Sequence, residues 1–407
     1  MFAIRPGEPP SVIRQRPFAM FWCARVLSSF AYQMQSVAVG WLVYSRTGST
    51  FDLGLVGLSQ FLPVVLLTLA AGHVADRYDR RRVARLCQAV ECCAAATLAA
   101  GVAQGWLPVP GVCAIVAVVG AARAFESPAL SALMPGLVDR ASLPQASAWS
   151  ASATQAASIA GPACGGLLYA VAPAVPFGCV AGLYGFAMLA VTLVRTARPP
   201  PAREPATLRS VFLGLAFIRG DPAILGAISL DLFAVLLGGA TALLPVFARD
   251  ILGAGSWGLG VLRASPAAGA LAMSLLLARR PLRRRAGRTM FAAVAVFGAA
   301  TIVFALSRSL PLSMAALCAL GAADVVSVVV RFSLVQANTP DAMRGRVSAV
   351  NMLFVGASNQ LGEFESGMTA ALLGTVPAVL LGGIGTIGVA LLWMRLFPAL
   401  RDIDRLH

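Results

Sequence analysis

The chain has no lysine, two histidines and few charges of either sign. Charged residues fill 12% of its 407 positions, against roughly 25% in soluble domains, so a water-soluble fold of this length could not clothe its surface. His73 and His407 stand far apart with no ligand cluster around either, which leaves no metal site. No nucleophile and base are paired, so a membrane-embedded enzyme has little support. A phosphate-binding Gly-x-x-x-x-Gly-Lys loop is missing, and neither ATP nor any other cofactor is called for. No stretch of soluble-domain size exists to serve as the output of a sensor. The net charge of +15 is not gathered on a soluble face. It comes from arginines in short clusters between apolar runs, so no nucleic-acid partner is expected. The eight cysteines, Cys23, Cys87, Cys92, Cys93, Cys113, Cys164, Cys179 and Cys318, lie in or beside apolar segments and act as small hydrophobes rather than as a disulfide framework. Met1 to Pro17 is polar and Pro-rich, and the apolar run after it is too long for a signal peptide.

What the chain does have is apolar length. Hydrophobic residues make up 58% of it and the mean hydropathy is +0.80, so a bilayer can take the place of water as its solvent. A helical crossing needs about 20 mostly apolar residues, because every backbone N–H and C=O must be paired within the segment. Twelve stretches qualify: 18–46, 52–75, 84–106, 110–136, 144–171, 174–195, 222–248, 257–278, 289–307, 311–336, 346–373 and 376–397. The expectation is an all-α membrane protein of twelve transmembrane helices in two pseudo-symmetric six-helix bundles. A cytoplasmic segment 1–17 precedes a first bundle at 18–196. A linker, 197–221, leads to a second bundle at 222–397 and a cytoplasmic tail at 398–407.

Arginine placement orients the chain. With the N-terminus in the cytoplasm, Arg46, Arg249 and Arg308 alone fall in outer loops. Inner segments hold all the rest outside the crossings, including Arg77, Arg80, Arg81, Arg82 and Arg85 in one loop. Both termini are then cytoplasmic, and anionic headgroups of the inner leaflet are expected partners of these loops. In the linker, Leu208, Val211, Phe212, Leu215 and Ile218 recur at helical spacing. They describe either an amphipathic helix on the inner leaflet or a plain tether. The halves repeat each other. Gly120-Ala-Ala-Arg123 matches Gly321-Ala-Ala-Asp324, and Ser147-Ala148 matches Ser348-Ala349 at the same offset.

Ten ionisable residues fall inside the crossings: Arg25, Glu91, Arg123, Glu126, Asp231, Arg263, Asp324, Arg331, Glu363 and Glu365. Facing lipid, an Arg or Asp at a helix centre costs about 2.5–3.5 kcal/mol, so most must pair or line a water-filled space. Arg25, Ser28, Ser29, Tyr32 and Ser36 make one polar stripe on crossing one. Arg123, Glu126, Ser127 and Ser131 make another on crossing four, and Asp324, Ser327 and Arg331 a third on crossing ten. Crossing seven supplies Asp231 and Thr241. The pattern predicts an interior compartment bounded by crossings 1, 4, 7 and 10, with structural ion pairs as the alternative reading. Arg25, Tyr32, Ser36, Arg123, Ser127, Asp324 and Arg331 are the candidate cavity residues. A carboxyl in a poorly hydrated place suits a proton carrier, which makes Asp324, Glu363, Glu126, Asp231 and Glu365 the coupling candidates. Glu363 and Glu365 sit about 200° apart around a helix, so one cavity cannot easily claim both.

Gly72-His-Val-Ala-Asp76-Arg77-Tyr-Asp79-Arg80-Arg81-Arg82 joins crossings two and three. It resembles the signature loop of the major facilitator superfamily, with Asp79 where a second glycine usually stands. The expected role is a charged latch: Asp76 caps the following helix or pairs with a neighbouring arginine. In crossing five, Gly161-Pro162-Ala-Cys-Gly165-Gly166 is similar to the Gly-Pro-x-x-Gly-Gly element that the superfamily carries in antiporters and exporters. Its proline removes a backbone hydrogen bond, and its glycines admit a close helix neighbour. Trp41-Leu-Val-Tyr44-Ser-Arg-Thr-Gly48-Ser, Ala122-Arg123-Ala-Phe125-Glu-Ser-Pro128-Ala, Thr339-Pro-Asp341-Ala-Met-Arg344-Gly-Arg346-Val and Leu361-Gly-Glu-Phe-Glu-Ser-Gly367 resemble one branch of the superfamily. That branch is the enterobactin-exporter-like group, also called the transmembrane secretion effectors.

The resemblance implies a secondary active transporter of the inner membrane, expected to work as a monomer. It would export a small amphiphilic molecule such as a siderophore, a macrolide or a drug-like compound by alternating access, in exchange for protons. Uptake or lipid flipping by the same fold is the alternative, ahead of a non-transporting sensor or an enzyme. Arg123 and Asp324, of opposite sign at matched positions, are expected to pair across the cavity or to grip opposite ends of a substrate.

Overall fold

The computed structural model describes residues 12–194, 208–280 and 285–404. Six helices make the first half: α1 (Arg16–Thr47), α2 (Thr50–Arg77), α3 (Arg80–Ala103), α4 (Val109–Leu133), α5 (Leu143–Val171) and α6 (Val175–Leu193). Then come α7 (Leu208–Gly220) and α8 (Pro222–Leu237), followed by a broken stretch that includes the single turn α9 (Leu244–Val246). The second half continues with α10 (Gly255–Arg279), α11 (Ala286–Leu306), α12 (Leu310–Asn338), α13 (Asp341–Leu373) and α14 (Thr375–Leu396), and ends in the short α15 (Pro398–Arg401).

The helix ends follow local chemistry. Ser49 caps α2 by accepting from Asp52 N–H, and Asp221 caps α8 by accepting from both Ala223 and Ile224 N–H, with Pro222 at the first helical position. Gly48 closes α1 in the left-handed region at φ 64°, where a side chain would be strained.

Among the described residues, nine helices are long and apolar enough to cross a membrane by length and composition. The other three long ones, α1, α5 and α13, are diluted by Ser, Gln, Asn, Arg and Glu. Each packs against other helices, α1 on α5 and α6, α5 on α1 and α10, and α13 on α2 and α8. Large apolar side chains such as Leu66, Leu86, Val171, Phe186, Leu372 and Leu396 stand exposed on the outside, as a lipid-facing surface requires.

Packing repeats from half to half. The pairs α1·α5, α1·α6, α2·α4, α3·α4 and α3·α6 recur as α8·α13, α8·α14, α10·α12, α11·α12 and α11·α14. The matched glycines do matched work. A Cβ on Gly120 would strike the backbone of Gln60 on α2, and one on Gly321 would strike the backbone of Pro266 on α10.

The seventh crossing departs from the expected continuous span 222–248. Its helix stops at Leu237, and Gly238 and Gly239 lead into a 3-10 turn (Ala240–Leu243), α9 and a π turn (Phe247–Ile251). Hydropathy is blind to this break, because the residues through it remain apolar. The close approach responsible is a backbone one: a Cβ on Gly239 would meet the carbonyl of Gly362 on α13.

Two symmetric contacts join the halves, α2 with α13 and α5 with α10. In the first, a Cβ on Gly54 would lie 3.5 Å from the Cα of Gly367. In the second, a Cβ on Gly260 would lie 2.6 Å from the carbonyl of Pro162. Among the described residues, the hydrogen bonds between halves gather at the end of the bundle remote from both termini. Tyr44 Oη donates to Asp250, and Arg249 donates to the carbonyls of Tyr44 and Ser45 at 3.0 and 3.4 Å. The remaining one, Gln155 Nε2 to the Ala267 carbonyl at 2.8 Å, lies mid-helix. Toward the termini, Gln145, Ser147, Ala148, Trp149, Ala151 and Ser152 of α5 are exposed. The molecule is closed at its remote end.

Candidate functional site

The buried charges form three clusters rather than one. In the first half, Glu126 on α4 is 1% exposed and fully engaged. Its Oε1 accepts from Ser28 Oγ on α1 (2.6 Å) and Gln88 Nε2 on α3 (3.0 Å), and its Oε2 accepts from Arg123 Nη1 one turn earlier (3.1 Å). The Arg123 guanidinium lies 4.0 Å from the Tyr32 ring centroid and keeps 26% of its side chain exposed. Three donors on a buried carboxylate offset much of its desolvation cost. Arg25 lies half-buried nearby with its Nε unpartnered. Ser127 and Ser131 continue the Arg123 side of α4 as exposed residues.

In the second half, Asp231 on α8 and Arg331 on α12 form a buried ion pair with a direct hydrogen bond. Asp324 and Ser327 face Asp231 across a gap that has room for about one water.

The third cluster lies where the halves meet. Arg263 on α10 pairs with Glu363 on α13 at 3.4 Å and donates to the Thr241 carbonyl at 2.9 Å. Both side chains border a cavity of about 50 Å³ shared with Ser36, Gly57, Gln60 and Pro245. That is room for a few waters and far below the 300–1,000 Å³ of typical ligand pockets.

Several expectations need correction. The cavity beside Arg263 and Glu363 is bordered by α1, α2, the broken seventh crossing, α10 and α13, so it takes in two of the four crossings expected, 1 and 7. Arg123 and Glu126 of α4 pair within the first bundle, and Arg331 of α12 pairs with Asp231 within the second. Arg123 and Asp324 do not pair in this structure; each stays with partners of its own half. Glu363 borders the interbundle cavity, whereas Glu365 accepts from Thr369 on its own helix at 2.7 Å, as their angular separation implied. In the signature loop, the cap on α3 comes from Asp79, which accepts from Arg81 N–H and pairs with Arg82 at 3.8 Å. The Asp76 side chain is not among those described. Gly72 lies within α2, Arg77 is exposed, and Arg80 donates to the Ala132 carbonyl at the end of α4. The amphipathic linker segment is helical as α7, yet its apolar residues diverge. Ile218 is buried beside α8 and α13 while Phe212 is exposed. The proline-rich start of the linker lies outside the described residues.

Gly161-Pro162-x-x-Gly165-Gly166 faces two ways. Cβ atoms on Gly161 and Gly165 would meet Phe30, Gln33 and Met34 on α1 within the bundle, while one on Gly166 would meet the backbone of Ser256 and Gly260 on α10 across the interface. This element therefore sets how closely the two halves approach.

The sequence pattern of the transmembrane secretion effector family matches residues 9–406. The chain belongs to this family. It is 28% identical to a multidrug efflux pump, Tap, of Mycobacterium tuberculosis, over 95% of each chain. It is 26% identical to the enterobactin exporter EntS of Citrobacter koseri, over 96% of this chain and 94% of the exporter. In fold it is similar to a bacterial homologue of the lysosomal transporter Spinster solved in an inward-facing, unoccupied conformation, with a TM-score of 0.76 at 14% identity, covering 98% of this chain and all of that one. The nucleoside transporter NupG gives 0.71 at 14% identity, over 94% of this chain and 99% of its own. The family member described here is thus a multi-pass membrane transporter with the major facilitator fold, and not an enzyme.

Gln88 and Tyr184 were not singled out from the sequence, and Arg263 and Glu91 were counted among the embedded charges without a role of their own. Arg263 was visible as an isolated charge in an apolar helix. Gln88 and Glu91 form an i,i+3 polar pair in α3 that could have flagged that helix as interior-facing. Tyr184 on α6 carried no signal, because a tyrosine in an apolar segment reads as core.

Proposed function

We propose that this transporter exports a small amphiphilic molecule from the cytoplasm in exchange for protons, by alternating access between its two bundles. The observation that carries the reading is the Arg263–Glu363 pair beside a water-sized cavity at the glycine-lined crossings of the halves. A charged group held only by one bundle, at the surface where the other bundle closes, is exposed whenever the halves part. With both termini cytoplasmic, the closed remote end is the outer face and the exposed flank of α5 lines a cytoplasmic mouth. Substrate enters there, parting of α2 from α13 and α5 from α10 opens the outer end, and the Gly72–Arg82 loop stabilises the state closed to the cytoplasm. Glu363 and Asp324 carry the coupling proton on this reading. One charge crossing a potential of about 100 mV is worth about 2.3 kcal/mol, enough for roughly a fiftyfold gradient. Export is favoured over uptake by the resemblance to an efflux pump and an exporter.

The test is accumulation of siderophores, macrolides and cationic dyes by inside-out vesicles acidified inside. Wild type is expected to load at least one class, and Glu363→Gln and Asp324→Asn to lose the pH-driven part. Loading only when the vesicles are right-side-out would make the protein an importer. Undiminished pH-driven loading by both variants would exclude the assigned acids.

A further inference from the structure

We propose that Glu91 is a proton-binding site inside the N-terminal bundle, apart from the interbundle cavity, and that its carboxyl gains Gln88 as a partner when the proton arrives and is held by Tyr184 when it leaves. The proposal rests on the proton-coupled reading above and adds a residue to it.

Glu91 on α3 is 0% exposed and neither of its carboxyl oxygens has a hydrogen-bond partner. One turn earlier, Gln88 is also 0% exposed. Its amide N–H donates to Glu126, which leaves its Oε1 an acceptor without a donor. On α6, which packs along α3, the Tyr184 hydroxyl is buried without a partner and lies within electrostatic reach of Glu91. An unmet buried polar group costs about 1–3 kcal/mol, so a carboxyl and two neighbours that are all unmet are not a neutral core arrangement. Their chemistry is complementary. A protonated carboxyl donates to Gln88 Oε1; an ionised one accepts from Tyr184 O–H. Gln88 Oε1 finds a donor only in the protonated state, whereas Tyr184 can donate in either state and does so most strongly to the ionised one; the only species exchanged is a proton.

The surroundings connect this switch to the bundle surface. The charged and titratable groups within reach of Glu91 are Arg123 and Glu126 from α4, Tyr184 from α6, Tyr32 from α1 and Cys87 on its own helix; the described part of α2 presents no charge to it. Gln88 binds Glu126, Glu126 binds Arg123, and Arg123 is the partly exposed member stacked on Tyr32. Loss of the proton adds a negative charge behind Glu126 and tightens the hold on Arg123. Gain of the proton frees the guanidinium to interact outward.

The test is infrared titration of the purified, lipid-reconstituted protein, paired with ethidium accumulation in proteoliposomes under an imposed pH gradient. Wild type and Asp324→Asn are expected to show a protonated-carboxyl band that vanishes on alkalinisation and is missing in Glu91→Gln. Tyr184→Phe should displace the midpoint of that band. Glu91→Gln should equilibrate ethidium without accumulating it. An unchanged band or wild-type accumulation in Glu91→Gln overturns the proposal. Should that variant not fold, an unmoved midpoint in Tyr184→Phe overturns it instead. If wild type fails to accumulate ethidium while the Glu91 band titrates, the proton-coupled reading falls for this probe and the binding site stands.

Discussion

Gly165 and Gly166 are adjacent in sequence yet serve different interfaces. A Cβ on Gly165 would lie 2.7 Å from the Met34 carbonyl inside the first bundle, and one on Gly166 would lie 2.9 Å from Gly260 N in the second. Backbone cannot shift cheaply at either place, and overpacking costs about 1–3 kcal/mol. Gly165→Val is expected to lower the melting temperature of the detergent-solubilised protein. Gly166→Val is expected to leave melting nearly unchanged and to favour states in which the outer ends are apart. Double electron–electron resonance between labels at Phe51 and Leu372 reads the second effect directly; equal melting losses in both variants would refute the division of labour.

Tyr44 fastens the same end. Its hydroxyl donates to Asp250, and its carbonyl accepts from Arg249 at 3.0 Å. A hydrogen bond to a charged group contributes about 1.5–3 kcal/mol, so Tyr44→Phe is expected to raise the population open at the outer end by roughly tenfold or more. In a protein freed of its native cysteines, alkylation of Ser36→Cys by an impermeant reagent from the outer side should speed up accordingly. An unchanged rate would mean that the bond does not hold the gate.

The Asp231–Arg331 pair is buried on both sides, with each partner at 4% exposure. Removing one partner leaves an uncompensated charge, which costs about 3–5 kcal/mol. Asp231→Asn should therefore destabilise the second bundle by about that much in thermal unfolding. Asp231→Asn combined with Arg331→Gln should recover much of the loss. A double variant no better than the single one would show that the pair is not the source of the stability.

The fold was largely legible because apolar length reports membrane crossings whatever their packing. Even α1, α5 and α13, whose polar residues lower their hydropathy, kept enough apolar length to be counted. The duplicated Gly120 and Gly321 exposed the two-bundle plan through sequence alone. What could not be read was rotation. Arg123, Glu126, Gln88 and Ser28 come from three helices, and which of them meet depends on how α1, α3 and α4 are turned about their axes. The same limit moved the helix cap from Asp76 to Asp79, since both are aspartates shortly before an arginine run and only backbone geometry separates them. The Gly238–Gly239 break stayed hidden because hydropathy measures composition and not continuity. Glu91 was seen as an embedded acid, but its idle partners Gln88 and Tyr184 are defined by missing contacts, which no sequence displays.

The central claim is that the two bundles rock so that the space beside Arg263 and Glu363 opens to one side at a time. The most direct measurement places two spin-label pairs in the lipid-reconstituted transporter, Phe51 with Leu372 at the outer end and Ser152 with Leu276 at the cytoplasmic end. On acidification in the presence of a transported dye, the outer distance is expected to lengthen as the cytoplasmic distance shortens. Two distances that stay fixed while transport proceeds would contradict it.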